Sequence, residues 1–437
     1  MNKNSTVNSF YVILSGLFTY NKKSLNIKSV QEHYTPWKNR INKGNYQSTF
    51  DYLEKCYYDS FINNIYPEIR IPNDPNHFNF DILNHLTFKK CITETNSFNG
   101  LKVKINENKF ISFDIEYADI YLFPYEIGFI SFKCTLSGET AQTPENISDF
   151  LYRIRDIDHY IEMPNNTTKI SVPDFIHQSF LQQLSIDNSW ISYNPQLKSY
   201  INIDLSESID EDERDHLMYD IGNMTPIGSS KGEGFFAPSQ QYFEKIIQEN
   251  KVSVFRNWSA LFLFDTFTRI SIQSPDTFKS WEYEYFNLYI HTLYLKFFMY
   301  ITNSNISDVT IVNKKTQEIR DMFIEFINDY YHSHVSNKFL PDLIQDKLMF
   351  ALDIHSEVEK METKIQRINE HFQEKREKKL NLVLTVLAII SVFSVIYDTS
   401  SWLVNLGFSE KQIFPIPSLV IASVLFLSII LIFKIKK

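Results

Sequence analysis

The sequence predicts an α+β cytosolic domain, a long helical stalk after it, and a two-helix transmembrane hairpin towards the C-terminal end. Three observations carry this. Residues 380–396 and 416–433 are two uncharged apolar runs, each close to the roughly 20 helical residues that cross a bilayer core. A seven-residue apolar repeat leads into the first run, as in helices that associate along a seam. Upstream, short alternating segments are mixed with amphipathic stretches at helical spacing, the pattern of helices laid on a sheet.

The orientation of the hairpin follows from its flanking charges. Lys375, Arg376, Lys378 and Lys379 precede the first run, and Lys434, Lys436 and Lys437 follow the second, whereas the connecting loop holds only Asp398, Glu410 and Lys411. The positive-inside rule then places both termini in the cytosol, giving a multi-pass protein of the inner (cytoplasmic) membrane. Tyr397 and Trp402 suit the outer interface. Within the first run Asn381, Thr385, Ser391, Ser394 and Asp398 fall on one broad side, and polar groups inside a membrane turn to a bundle interior or a water-filled path. These five are the candidate pore-lining residues. The plainer reading is that their hydroxyls bond back to their own helix. Two spans cannot enclose a path alone, so a channel requires a homo-oligomer embedded in the lipid bilayer.

Composition narrows the class. A net charge of -9 lacks the basic footprint of direct DNA or RNA binding. Cys56, Cys91 and Cys134 have no metal-type spacing and read as free thiols. There is no GxSxG, CxxC or HExxH, and neither His332 with His334 nor Asp156, Asp158 and His159 has a strong metal spacing, so no enzyme, no metal and no cofactor are expected.

Four segments are expected: a cytosolic α/β domain at 1–205, an α+β subdomain with a Gly-rich loop at 206–310, a stalk at 311–379 and the hairpin at 380–437. Alternation over 102–106, 110–115 and 127–135 predicts strands. Thr143-Pro144-Glu145 combines a hydroxyl cap, a first-turn proline and an early carboxylate, predicting a helix start. The helix over 146–155 then aligns Ile147, Phe150, Leu151 and Ile154 on one face. The acidic run at 210–213 opens a helix or marks a joint. Residues 252–264 read as a buried strand or helix, 281–301 as an aromatic-rich helix, and Ile319, Met322, Phe323, Phe326, Ile327 and Tyr330 stripe another. After Pro341, Ile344, Ala351, Val358, Ile365 and Phe372 share one heptad position and Ile354, Met361 and Ile368 the other, broken only by Lys347. No proline or glycine follows before Tyr397, so one helix of roughly 80 Å is expected to continue through the first span. Its seam serves association between copies, packing on its own domain, or both.

With this order of domain, stalk and two spans, the chain resembles the CorA superfamily. That family carries Gly-Met-Asn after a tyrosine at the outer end of the first span. Here the stretch reads Ile396-Tyr397-Asp398-Thr399-Ser400, with the tyrosine and without the motif, a departure that weighs against selective Mg²⁺ transport. The stretches LFPYEIGFISFKC, ISDFLYRIRDI and NWSALFLFDT are similar to the CorA-like membrane effectors associated with type III CRISPR systems, which also lack it. This resemblance implies a nucleotide-gated homo-oligomeric channel of antiviral defence that disrupts the membrane barrier. Its ligand would be an adenine-nucleotide second messenger, a cyclic oligoadenylate or an adenosyl-methionine–AMP conjugate. Two alternatives stay open: a divalent-cation transporter using another polar ring, such as Asp398, and a membrane-tethered sensor without a pore.

The candidate residues for such a ligand are few. Arg153 and Arg155 offer guanidinium forks for phosphate, but two residues apart on a helix they face different ways. Four of the ten glycines, Gly222, Gly228, Gly232 and Gly234, crowd one short loop whose backbone N–H groups suit an anion, with Lys231 adding charge. Asp220 can accept from a ribose hydroxyl or an ammonium. Arg256, Asn257 and Trp258 are further candidates, Trp258 for stacking a base or as plain core. Asp265, a charge in an apolar run, is expected to pair with some partner, Arg256 or Arg269 among the options.

Overall fold

A computed structural model describes residues 7–21, 53–65, 87–91, 98–138, 140–156, 158–164, 169–184, 186, 193–232, 234–274, 280–307 and 314–407. The chain divides into two units, Met1–Ser307 with Asp321–Glu359, and Asp308–Arg320 with Lys360–Lys437.

The first unit is built on one 11-stranded sheet. In chain order its strands are β1 (Val7–Thr19), β2 (Thr87–Cys91), β3 (Leu101–Lys104), β4 (Phe110–Phe123), β5 (Ile127–Leu136), β6 (Tyr160–Glu162), β7 (Lys169–Ser171), β8 (Lys198–Leu205), β9 (Lys251–Val252), β10 (Trp258–Phe262) and β11 (Thr266–Ile272). The helices are α1 (Asp59–Ile65), α2 (Pro144–Ile154), α3 (Val172–Ile176), α4 (Glu211–Asn223), α5 (Gln240–Asn250), α6 (Phe286–Ser307), α7 (Lys314–Tyr330), α8 (Phe339–Ala351) and α9 (Ile354–Asn405). The spatial strand order is β7-β6-β3-β4-β5-β1-β8-β11-β10-β9, with β2 also paired to β4. Among the described residues only the β8–β11 pair is parallel. The helices α4 and α5 and the strands β9 and β10 lie in the connection that a parallel pair requires. The segments expected as separate domains at 1–205 and 206–310 therefore share one sheet through β8 and β11.

Alternation in the central strands produces two unlike faces. On one, Val12 and Leu14 of β1, Ile130 and Phe132 of β5, and Ile201 and Ile203 of β8 join Phe150 and Leu151 of α2, Phe175 of α3 and Leu217 and Ile221 of α4 in one apolar core. Helix α2 starts as its sequence predicts: the Thr143 hydroxyl accepts from the Asn146 N–H at 3.3 Å, with Pro144 in the first turn. The other face carries Tyr11, Lys133, Tyr200, Asn202, Asp204 and Arg269, and α6 packs over part of it. Tyr200 stacks on Phe267 at 4.2 Å and meets Tyr289 of α6 at 5.4 Å, while its hydroxyl donates to the Trp281 carbonyl at 2.8 Å. The run at 252–264, open to either reading, forms β9 and β10.

Two tight places set the sheet's geometry. Gly128 lies opposite Phe18 in the β1–β5 register, and a Cβ there would sit 2.2 Å from the Phe18 ring. At the β4–β5 turn Tyr125 and Glu126 both hold left-handed φ, 62° and 61°. Hairpins usually give such positions to Asn or Gly, and side chains there cost about 1–3 kcal/mol each.

Helix α9 spans 52 residues without interruption and runs through the first apolar stretch. It does not continue the preceding helix: Leu352 and Asp353 separate α8 from α9, and Asp353 is left-handed at φ 55°. The heptad is thus divided between two helices, Ile344 and Ala351 belonging to α8. Along α9 the stripe is buried at Ile354, Val358, Met361 and Ile365 and half-buried at Ile368 and Phe372. Within the second unit Arg320 donates to the Asn369 side chain at 3.0 Å. The second apolar run, 416–433, lies outside the described residues.

Two stability predictions follow from the first unit. Gly128→Ala forces a carbon into the Phe18 ring and should cost about 1–3 kcal/mol by overpacking. Gly234→Ala, which meets open space, should be near neutral; denaturant midpoints compare the two. His291 is fully buried against Phe61 at 4.9 Å, and burial, then the neighbouring His332, lowers its pKa to about 3. The unfolded imidazole takes up a proton below about 6.5 and the folded one does not, so this contribution to stability is lost as pH falls from there towards 3. Between pH 7 and 5 the unfolding free energy should drop by about 2 kcal/mol from this group, and His291→Leu should flatten that slope.

Candidate functional site

The loop after α4 is organised around Asp220, which is buried. The helix ends on Met224 in a left-handed conformation, φ 55°, which turns the chain back over its own last turn. The Asp220 carboxylate then accepts from the backbone N–H of Gly228 at 2.7 Å, that of Ser230 at 2.9 Å and the Thr225 hydroxyl at 3.4 Å. Gly228 holds φ 88°, a conformation that glycine adopts without strain. Burial raises the Asp220 pKa, and the Gly228 and Ser230 donors oppose that rise. In this arrangement the loop's N–H groups serve the protein's own carboxylate. Lys231 pairs with Asp212 at 3.4 Å. His216 shares a hydrogen bond with the Ser230 hydroxyl at 2.9 Å and stacks on Phe243 at 4.2 Å; burial lowers its pKa.

The second place is a cleft at the end of α2, about 360 Å³ in volume, lined by Lys104, Arg153, His159 and Lys169 together with Glu107 and Glu162. Arg153, in the last turn of α2, reaches the Ile105 carbonyl at 3.0 Å and the His159 ring at 2.5 Å. Both partners fix the guanidinium at the cleft wall, and a fork so placed matches an anionic oxygen pair. Arg155 is not among the cleft's lining residues. Burial lowers its pKa, opposed by Asp265 and then Asp156, and its carbonyl accepts from the Leu197 N–H at 2.9 Å. The two arginines diverge, as their spacing requires.

Arg256 and Asn257 are exposed in the turn before β10. Their carbonyls are held by Arg214 at 2.9 Å and by the Ile272 N–H at 2.8 Å. Trp258 is buried in β10, edge-on to Trp281 at 5.0 Å, and so belongs to the core. Asp265 does have a partner, Lys198, rather than either arginine named among the options, because β11 starts beside the first residues of β8. Arg269 instead lies over Trp281 at 4.7 Å. Asp220 and Lys231 thus share one loop, Arg153 stands in a separate cleft, and the Ser148 hydroxyl links α2 to this loop through the Thr225 carbonyl at 2.8 Å.

The polar sheet face escaped the sequence reading. Lys133 bridges Glu116 at 2.8 Å and Glu282 at 3.1 Å, over the Tyr11 ring at 4.6 Å. Asp204, fully buried, accepts from the Ser271 hydroxyl at 2.7 Å and the Ser274 N–H at 3.0 Å. The signal was the period-two series Tyr200, Asn202, Asp204 against Phe267, Arg269, Ser271.

In α9, the stretch from Leu380 onward is apolar and none of the span window is buried. Asn381, Thr385, Ser391, Ser394 and Asp398 occupy about half of the circumference at 100° per residue. The Thr385 hydroxyl donates to the Asn381 carbonyl at 2.7 Å and the Ser391 hydroxyl to the Leu387 carbonyl at 2.9 Å, so both bond within the helix while their oxygens keep acceptor capacity. His334 pairs with Asp342 at 2.9 Å, and His332 meets Asn64 at 2.9 Å. No group of three or more His, Cys, Asp or Glu side chains suited to a metal occurs among the described residues.

Taken together, the class is an α+β protein with a long helix that is apolar and long enough to span a membrane. Comparison with protein-family models, curated proteins and solved structures finds no match.

The Asp220 cluster generates a test. Asp220→Asn replaces one acceptor oxygen with a donor facing the Gly228 or Ser230 N–H, which should cost about 1–3 kcal/mol and accelerate amide exchange at both residues. Exchange measured by mass spectrometry over 224–232 checks this.

Proposed function

We propose that the chain is a signal-gated membrane effector of CorA-like type, acting as a homo-oligomeric channel of antiviral defence that an adenine-nucleotide second messenger switches on. The single observation that carries this is α9: one unbroken helix begins within the first unit and runs into an apolar stretch that is not buried among the described residues. A ligand bound to the α+β unit can bias that helix only through differential affinity for two packings. Two spans per chain, the second at 416–433, would form the membrane hairpin, with both termini cytosolic. The polar side of the first span would line the path.

The cleft at Arg153 is the best candidate for the messenger's phosphate. Lys104 and Lys169 add charge around a guanidinium already held in place, and the residue resemblances at 122–134 and 147–157 overlap β5 and α2. Asp220 and Lys231 would act indirectly, by shaping the loop beside α2.

Reconstitution in liposomes tests the proposal. Ion release should appear on adding a cyclic oligoadenylate or an adenosyl-methionine–AMP conjugate and be absent without nucleotide. Deleting 380–437 should abolish release and leave nucleotide binding intact. Arg153→Ala should weaken binding by about 10–100-fold, the worth of a charged hydrogen bond. Release that ignores every nucleotide, or release that survives the truncation, overturns the reading.

A further inference from the structure

His159 lies between two unlike charges at the wall of the Arg153 cleft. Its Nε2 meets the Arg153 Nη1 at 2.5 Å, and its Nδ1 faces the Asp156 carboxylate at 3.5 Å. A guanidinium only donates, so Nε2 accepts, the ring proton sits on Nδ1 and the imidazole is neutral. That Nδ1 is buried without a hydrogen-bond partner, because the carboxylate stands just too far away for a good one. Asp156 is itself held in place, its other oxygen accepting from the Asp158 N–H at 3.0 Å. A positive charge on the ring draws Nδ1 and Asp156 together and satisfies the stranded donor.

The guanidinium opposes that charge. Protonation sets an N–H on Nε2 against those of Arg153, two like charges in contact. The other titratable groups of the cleft are Lys104 on β3, Glu107 in the turn after it, Tyr160 and Glu162 on β6, and Lys169 on β7. Lys169 and Glu162 stand 3.6 Å apart and largely offset each other. On Arg153, His159 engages Nη1 and the Ile105 carbonyl engages Nη2, which leaves further N–H groups for a ligand. An anion held there lies beside the His159 ring, because Nη1 serves both. Its charge offsets the guanidinium, and its oxygens accept from a protonated Nε2. Binding thus removes the obstacle to protonation and leaves the attraction of Asp156 intact.

We propose that His159 is a second ligand of the anion at Arg153 and takes up a proton as the anion enters, so that the cleft binds the two together. This rests on the cleft being a phosphate site and holds whether or not the phosphate belongs to an adenine nucleotide. By linkage each favours the other, and anion affinity rises as pH falls through the imidazole range.

Sulfate is the probe, because it does not titrate in that range and any proton taken up goes to the protein. It is titrated calorimetrically into the full chain in lipid nanodiscs, in buffers of different ionisation enthalpy. Binding should be about three- to tenfold tighter at about pH 5.5 than at about pH 7.5, with about 0.5–1 proton taken up per anion near the midpoint. Arg153→Ala should lose both the binding and the uptake. His159→Gln keeps an acceptor for Arg153 and cannot titrate, so the pH dependence and the uptake should vanish; Asp156→Asn should reduce them. If a variant melts early, the proton count on the unsubstituted chain decides. Sulfate bound without a proton, or uptake that persists in His159→Gln, overturns this proposal alone. Adenine nucleotides that fail to bind where sulfate binds with a proton overturn the messenger reading alone, and sulfate binding that ignores Arg153→Ala overturns both.

Discussion

The pairing of β1 with β5 on one edge and β8 on the other is the constraint from which the first unit follows. Its register aligns Val12 with Cys134 and Ile201, and Ile13 with Lys133 and Tyr200. A one-residue slip on either side would send the aliphatic set to the polar face and Lys133 into the apolar core. The register thus decides which face receives α2 and α4 and which receives α6. It also places Arg269 beside Asn202, because β11 docks in parallel on β8. A buried arginine is tolerated there because Trp281 covers its guanidinium, and burial lowers its pKa, opposed first by Tyr11 and Tyr200 and then by Asp204.

Local chemistry was legible from the residues. The Thr143 cap, the helix opened by Asp210 and the strands around 101–104 and 127–136 all appear where their patterns place them, since caps and alternation act over a few residues. Non-local pairing was not legible: nothing in 198–205 announces a parallel partner strand at 266–272, so two expected segments merge into one sheet. The break between α8 and α9 was hidden for a related reason. A heptad reports which side of a helix is apolar, and Asp353 leaves that side undisturbed while reversing the sign of φ.

The candidate site divides along the same line. Spacing alone separated Arg153 from Arg155. It could not show that Asp220 would be enclosed by its own loop, because that depends on Met224 turning the chain back. Trp258 had two readings, stacking platform or core, and its burial in β10 against Trp281 decides for core. Asp265 found a lysine 67 residues away, a partner that sheet order creates and sequence proximity conceals. The residues that most resemble a built polar layer, Lys133, Asp204 and Arg269, are spread over three strands and carry no motif.

Asp353 sets the direction in which the long helix leaves α8. A left-handed residue stands immediately before α9, its N–H donating back to the Phe350 carbonyl of α8 at 3.0 Å and its carbonyl accepting from the Glu357 N–H of α9 at 3.1 Å. An aspartate there holds a conformation costing about 1–2 kcal/mol, comparable to a modest ligand preference. From that pivot 52 residues extend about 78 Å. A 10° change in direction at the pivot therefore moves the far end sideways by about 14 Å, more than the diameter of a helix with its side chains. Two backbone angles at Asp353 thus set where the whole apolar stretch of the helix lies relative to α8.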